Sequence, residues 1–90
     1  MRHHNYREDI AGPTWLYRLH AGEALAYVGV SSDPQSRFVN HRRKKAWWKA
    51  ITRVELCWFP SRAAAFAAER EAIIKERPIH NIARPKGAVA

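Results

Sequence analysis

The sequence predicts a small α/β domain, a three-stranded antiparallel sheet flanked by helices, and three observations carry that prediction. Two short runs rich in apolar residues, around Trp15-Leu16-Tyr17 and Tyr27-Val28-Gly29, stand on either side of Ala21-Gly22-Glu23, whose glycine suits a tight turn. A third run, Arg53 to Phe59, alternates and stops at Pro60. Helix starts are written at Asp33-Pro34 and at Ser61, each ahead of helix-forming residues.

The first two runs form a β-hairpin. With the turn centred on Gly22, Tyr17 lies directly opposite Tyr27 and both side chains share one face. Asp33 caps an orphan backbone N–H and Pro34 is preset for the first helical position, so a helix runs from there into His41-Arg42-Arg43. Arg37 and His41, four residues apart, share a face of it. Ala46 to Ile51 forms another short helix. Ser61 caps the last one, Arg62 to Glu76, which holds six alanines and ends before Pro78. At about 100° per residue, Phe66 and Ile73 mark its core side, Glu69 falls about 60° from Phe66 and Glu71 points about 140° away. A carboxylate at the edge of an apolar stripe must meet a cation or hydrogen-bond donors. On helix geometry alone, Glu69 is open to a salt bridge with Arg37 or Arg70 or to a metal.

Ninety residues make one domain, and a chain this short buries about 60% of its unfolded surface, so its core is thin. Sixteen Lys and Arg against eight Asp and Glu give a formal +8, and the sequence pI is near 10.4. That balance favours an anionic partner such as nucleic acid. A membrane is disfavoured: no helical stretch pairs a broad apolar face with a basic one, and no apolar run nears the roughly 18 residues of a span. Met1 to Asp9 lacks the apolar core of a secretory signal, and the lone Cys57 has no partner for an internal disulfide or a Cys-rich zinc site, which points to the cytoplasm. In its alternating run Cys57 reads as a small packing residue. Residues 1–13 and 84–90 read as tails around a domain spanning 14–83, and His3-His4 has no third ligand at metal spacing.

Six residues in order, Tyr17, Tyr27, Arg37, His41, Glu69 and Asn81, resemble the GIY-YIG nuclease superfamily, whose members carry a Tyr in each of two hairpin strands, then a helical Arg, a helical Glu and a final Asn. The resemblance covers roughly Thr14 to Ile82. Its most specific part is the tail: Ala68-Glu69, Ile73-Ile74-Lys75 and Arg77-Pro78-Ile79-His80-Asn81-Ile82. Trp15 and Leu16 stand where the family name has Gly and Ile, and Val28 replaces the second Ile, but both tyrosines and Gly29 remain. The resemblance implies a small stand-alone endonuclease that hydrolyses DNA phosphodiesters through a Tyr/Arg/Glu site holding one divalent ion. Glu69 would be the metal ligand. The general base would be a tyrosine, Tyr17 first, with Tyr27 and His41 assisting. Gly29 and Asn81 would support the site, Asn81 by tying the chain after the last helix to the hairpin through its amide.

Phosphodiester cleavage needs an activated water, a cation on the non-bridging oxygens and stabilisation of the charged transition state. One carboxylate with no second beside it suits Mg²⁺ (or Mn²⁺), which keeps most of its waters. Arg37, near a helix start with free backbone N–H groups, is placed to meet a phosphate. The run His41-Arg42-Arg43-Lys44-Lys45, followed by Trp47, Trp48 and Lys49, joins phosphate-neutralising charge to flat rings that can stack on bases, although at least one of the two tryptophans packs the core. DNA, including structured or branched DNA, is the expected partner. Two rivals stand beside the nuclease: a DNA- or structured-RNA-binding module without turnover, and a nuclease subunit whose partner protein supplies specificity.

Overall fold

The computed structural model describes residues 12–82. In chain order its elements are strand β1 (Thr14–Ala21), strand β2 (Ala24–Ser31), helix α1 (Pro34–Lys44), a single 3₁₀ segment (Ala46–Ala50), strand β3 (Arg53–Phe59), helix α2 (Arg62–Glu76) and the short helix α3 (Ile79–Ile82). The strands form one antiparallel sheet in the order β2-β1-β3, and the helices pack on it, giving a compact α/β domain. Of the expected tails only Gly12 and Pro13 are described; the rest, with His3 and His4, lies outside the described residues.

The hairpin register differs from the one read from sequence. Its loop is two residues, Gly22 and Glu23, between paired Ala21 and Ala24, and Gly22 takes the positive φ of 63° that such a turn needs. A bulge then inserts Ala26, so the pairing slips again between Leu19 and His20. Tyr17 consequently pairs with Gly29, and Tyr27 with Leu19. Because the two slips together move the register by an even number of residues, Tyr17 and Tyr27 still share a face, now as diagonal neighbours with ring centroids 6.2 Å apart.

Strand β1 is central and is covered on both faces. On one, Leu16 joins Val28, Val30, Ala65 and Ala72, which seats α2 on the sheet. On the other, Tyr17 meets Phe38 and His41 of α1. Both helix starts form as their sequences dictate: the Asp33 carboxylate accepts from the Ser36 N–H and hydroxyl, and the Ser61 hydroxyl accepts from the Ala64 N–H. Helix α2 ends at Arg77 in the left-handed region, φ 50°, ahead of the buried Pro78. A two-pronged pair from Arg18 to Glu76, 2.9 and 2.7 Å, ties its last turn to β1.

Two packing expectations fail. Phe66 is 42% exposed, and the core stripe of α2 is instead Ala65 and Ala72, with Ala68 and Ile73 packed beside it. Small side chains let the helix lie close to the sheet, and Phe66, about 100° round from Ala65, is carried out to lie beneath the Arg62 guanidinium at 4.9 Å. Cys57 is exposed, because α2 lies mainly over β1 and β2 and leaves the edge strand β3 thinly covered.

The other sheet edge is closed by a side chain. Asn81 accepts from the Val28 N–H at 2.8 Å and donates its amide to the Val28 carbonyl at 3.0 Å, supplying to β2 the two bonds a fourth strand would make. Asn81→Ala should therefore cost about 1–3 kcal/mol in urea unfolding, and Asn81→Asp at least as much, since its carboxylate would face the Val28 carbonyl.

Candidate active site

Tyr17 is brought to the centre of the molecule by β1 and has no exposed surface. Its ring lies over Gly29: a Cβ at that position would meet the Tyr17 Cζ and hydroxyl oxygen at 2.5 Å. Glycine is thus required at position 29 because the neighbouring strand's phenol occupies the space a side chain would take. The Phe38 ring stands edge-on to Tyr17 at 5.2 Å, and the Tyr17 hydroxyl is 2.9 Å from His41 Nε2.

Arg37 acts on the same oxygen, toward which its guanidinium can only donate. Burial, and then Tyr27, push the Tyr17 phenol well above its ordinary value near 10, against the opposing pull of Arg37; Glu69 raises it further. Burial, then the charges of Arg37 and Lys45, push His41 down to about 4. Both groups are therefore neutral at pH 7.

Glu69 follows Ala65 by one turn of α2, is half-buried, and lies close enough for its charge to be felt at the Tyr17 oxygen. Four expected site residues, Tyr27, Arg37, His41 and Glu69, are thus each within contact or electrostatic range of the fifth, Tyr17, and the five are drawn from β1, β2, α1 and α2. Asn81 and Gly29 stand behind them through Val28 and Tyr17. Among the described residues no group of three His, Cys, Asp or Glu could hold a metal ion. The donor set fits a hydrated Mg²⁺ or Mn²⁺ on the single Glu69 carboxylate and does not fit a closed zinc cage.

The structure also gives Trp47 and His80, and with them Phe38, places beside the site that the sequence did not assign. Trp47 stacks on Tyr27 at 5.4 Å and on His80 at 4.8 Å, so Tyr27 is held by a three-ring pile on one side and by His41, edge-on at 5.0 Å, on another. Phe38, three residues before His41, was readable as facing the same way on helical spacing. The pile joins three segments far apart in the chain and had no local signal. The basic run Arg42, Arg43, Lys44 and Lys45 is exposed, as is Lys49, with Trp48 half-buried among them.

Comparison of the chain with protein families, with curated proteins and with solved structures finds no match in any of the three. No helix among the described residues is long and apolar enough to cross a membrane.

Gly29→Ala should cost about 1–3 kcal/mol or drive the Tyr17 ring from its place, read as urea stability and as loss of the Tyr17 ring contacts by NMR. Gly22→Ala, where nothing lies within 4 Å but φ is positive, should cost about 1 kcal/mol and leave the Tyr17 signals unmoved.

His41 predicts a pH dependence. Its folded value lies below the unfolded value of 6.5, so its stabilising share is full above about pH 6.5 and is lost as pH falls towards 4, by at most about 3 kcal/mol. Glu55 and Glu76, both held low by hydrogen-bonded partners, lose theirs only below the ordinary carboxylate range. Between pH 6.5 and 5, urea midpoints of the wild type should fall while those of His41→Gln stay flat.

Proposed function

We propose that the chain is a divalent-metal-dependent DNA endonuclease of the GIY-YIG type. The single observation that carries this reading is the convergence on one phenol, Tyr17, of His41, Arg37, Tyr27 and Glu69. A structural tyrosine needs one hydrogen-bond partner. A phenol surrounded by a cation, a carboxylate, a second phenol and a neutral imidazole has the parts of phosphodiester chemistry.

Roles divide by exposure. Tyr17 is sealed, so the expected part of first base does not suit it; we assign it to positioning His41 and to receiving the Arg37 bond. Tyr27, half-buried, is the phenol that can meet an attacking water and take its proton. Arg37 is exposed at the start of α1 and would hold a phosphate oxygen while its other donors keep the Tyr17 oxygen. Glu69 would hold the divalent ion, which supplies charge neutralisation at the scissile phosphate when bound. The exposed run Arg42 to Lys45 would hold the DNA backbone, and the lone Cys57 suits a cytoplasmic protein.

The sealing of Tyr17 is also the observation that favours a DNA- or RNA-binding module without turnover, or a subunit completed by a partner protein. One assay separates the stand-alone nuclease from the other two readings. Supercoiled plasmid should be nicked or cut by wild type with Mg²⁺ and not with EDTA, while Glu69→Ala should lose at least about 100-fold in rate and keep its DNA affinity. Normal cutting by Glu69→Ala would remove the one-metal site, and no cutting by wild type would leave the binding module and the partner-completed subunit, which co-purification of a partner then separates.

With a phenol as base, the rate at saturating Mg²⁺ should climb with pH well above neutrality, because the reactive fraction is the small deprotonated one. Tyr27→Phe should lose most of the rate. Tyr17→Phe should lose less, together with about 1 kcal/mol of stability from its bond to His41.

A further inference from the structure

Trp48 borders two hollows. One is a space of about 350 Å³ lined by the cations Arg42, Arg43, Lys44, Lys45 and Lys49. The other is a space of about 520 Å³ lined by Phe38 and Val39, with Gln35 and Ser36 offering polar groups. Arg42 borders both. Trp48 is half-buried, seated against Phe38 at 5.8 Å and His41 at 6.4 Å.

The two hollows differ in the way the two halves of a nucleotide differ. Phosphate requires dense, exposed positive charge; a base requires a flat ring to stack on, apolar walls and a few hydrogen-bonding groups. In a duplex the base faces are already taken by their neighbours in the stack, so a ring in the wall of a hollow is of use only to an unpaired base. Phe38, which lines the second hollow, is also edge-on to Tyr17, so the base-sized space lies one side chain away from the candidate active site.

We propose that the paired hollows bind an unpaired strand of nucleic acid, its backbone phosphate among the cations and its base against Trp48. The substrate class is then single-stranded DNA or the single-stranded part of a branched molecule. This rests on the nucleic-acid reading of the basic surface and not on catalysis, so binding in EDTA tests it whether or not the protein cuts.

Anisotropy of labelled strands should show oligodeoxythymidine bound about 10-fold or more tighter than a duplex of equal length at the same salt. Trp48→Leu, which fills most of the ring's volume, should weaken single-strand binding by about 5- to 100-fold, the range for one lost base stack, and change duplex binding less than about 2-fold; Trp48→Phe should keep most of the affinity. An oligouridine arm tells DNA from RNA as the source of the strand: tighter binding of either over duplex supports the unpaired-strand site. Should the leucine variant not fold, the wild type still decides, because a 2-aminopurine in the strand must be quenched on binding if it stacks. Equal affinity for single strand and duplex, an equal loss for both in Trp48→Leu, or no quenching overturns the proposal.

Discussion

The contact on which the rest of the molecule depends is the one between the Tyr17 ring and the bare backbone of Gly29. It sits between the central strand and its hairpin partner, and it leaves room on that face for Phe38 and His41 to close over the phenol. Move the ring and the bond to His41 goes with it, then the seat of α1, then the placing of the basic run at the far end of that helix. The site is therefore part of the core on this face. A ninety-residue chain has little interior to spare, and on this face the buried side chains include Tyr17 and His41 of the candidate site.

The electrostatics have the same economy. An imidazole between a buried phenol and two cations stays neutral, because burial and the Arg37 and Lys45 charges all oppose its protonation. A phenol in the same space keeps its proton for the first of those reasons. The resulting pair carries no charge at neutral pH, and the cations of the run Arg42 to Lys45 are exposed, where they can meet an anion at little desolvation cost.

Much of this was legible in the sequence, and the limits were physical. Turn, cap and breaker residues act locally, so Asp33, Ser61, Pro60 and Pro78 placed the helices and the third strand. The register of the hairpin was not local: a bulge at Ala26 is set by how the two strands twist together, and nothing around it in the chain announces it. The face of α2 was misread because hydrophobicity alone favoured Phe66, whereas close approach to a sheet favoured Ala65 and Ala72. Of the candidate site, the order of Tyr, Arg, His and Glu was visible, and so was Asn81. The sealing of Tyr17 and the ring pile of Tyr27, Trp47 and His80 arise only when distant segments meet.

The two edges of the sheet end differently. Asn81 closes β2, but β3 runs for seven residues with its outer backbone unmatched among the described elements and with Val54, Leu56 and Trp58 in the open beside it. Shape does little to discourage one copy from adding its edge to another, and there is no proline or bulge within the strand to do so. What holds copies apart is mutual repulsion of like charge, which salt weakens over a Debye length of about 10 Å at 0.1 M. For an open edge of this kind, ionic strength sets the barrier to pairing: low salt leaves the like-charge repulsion at full range, and high salt shortens it.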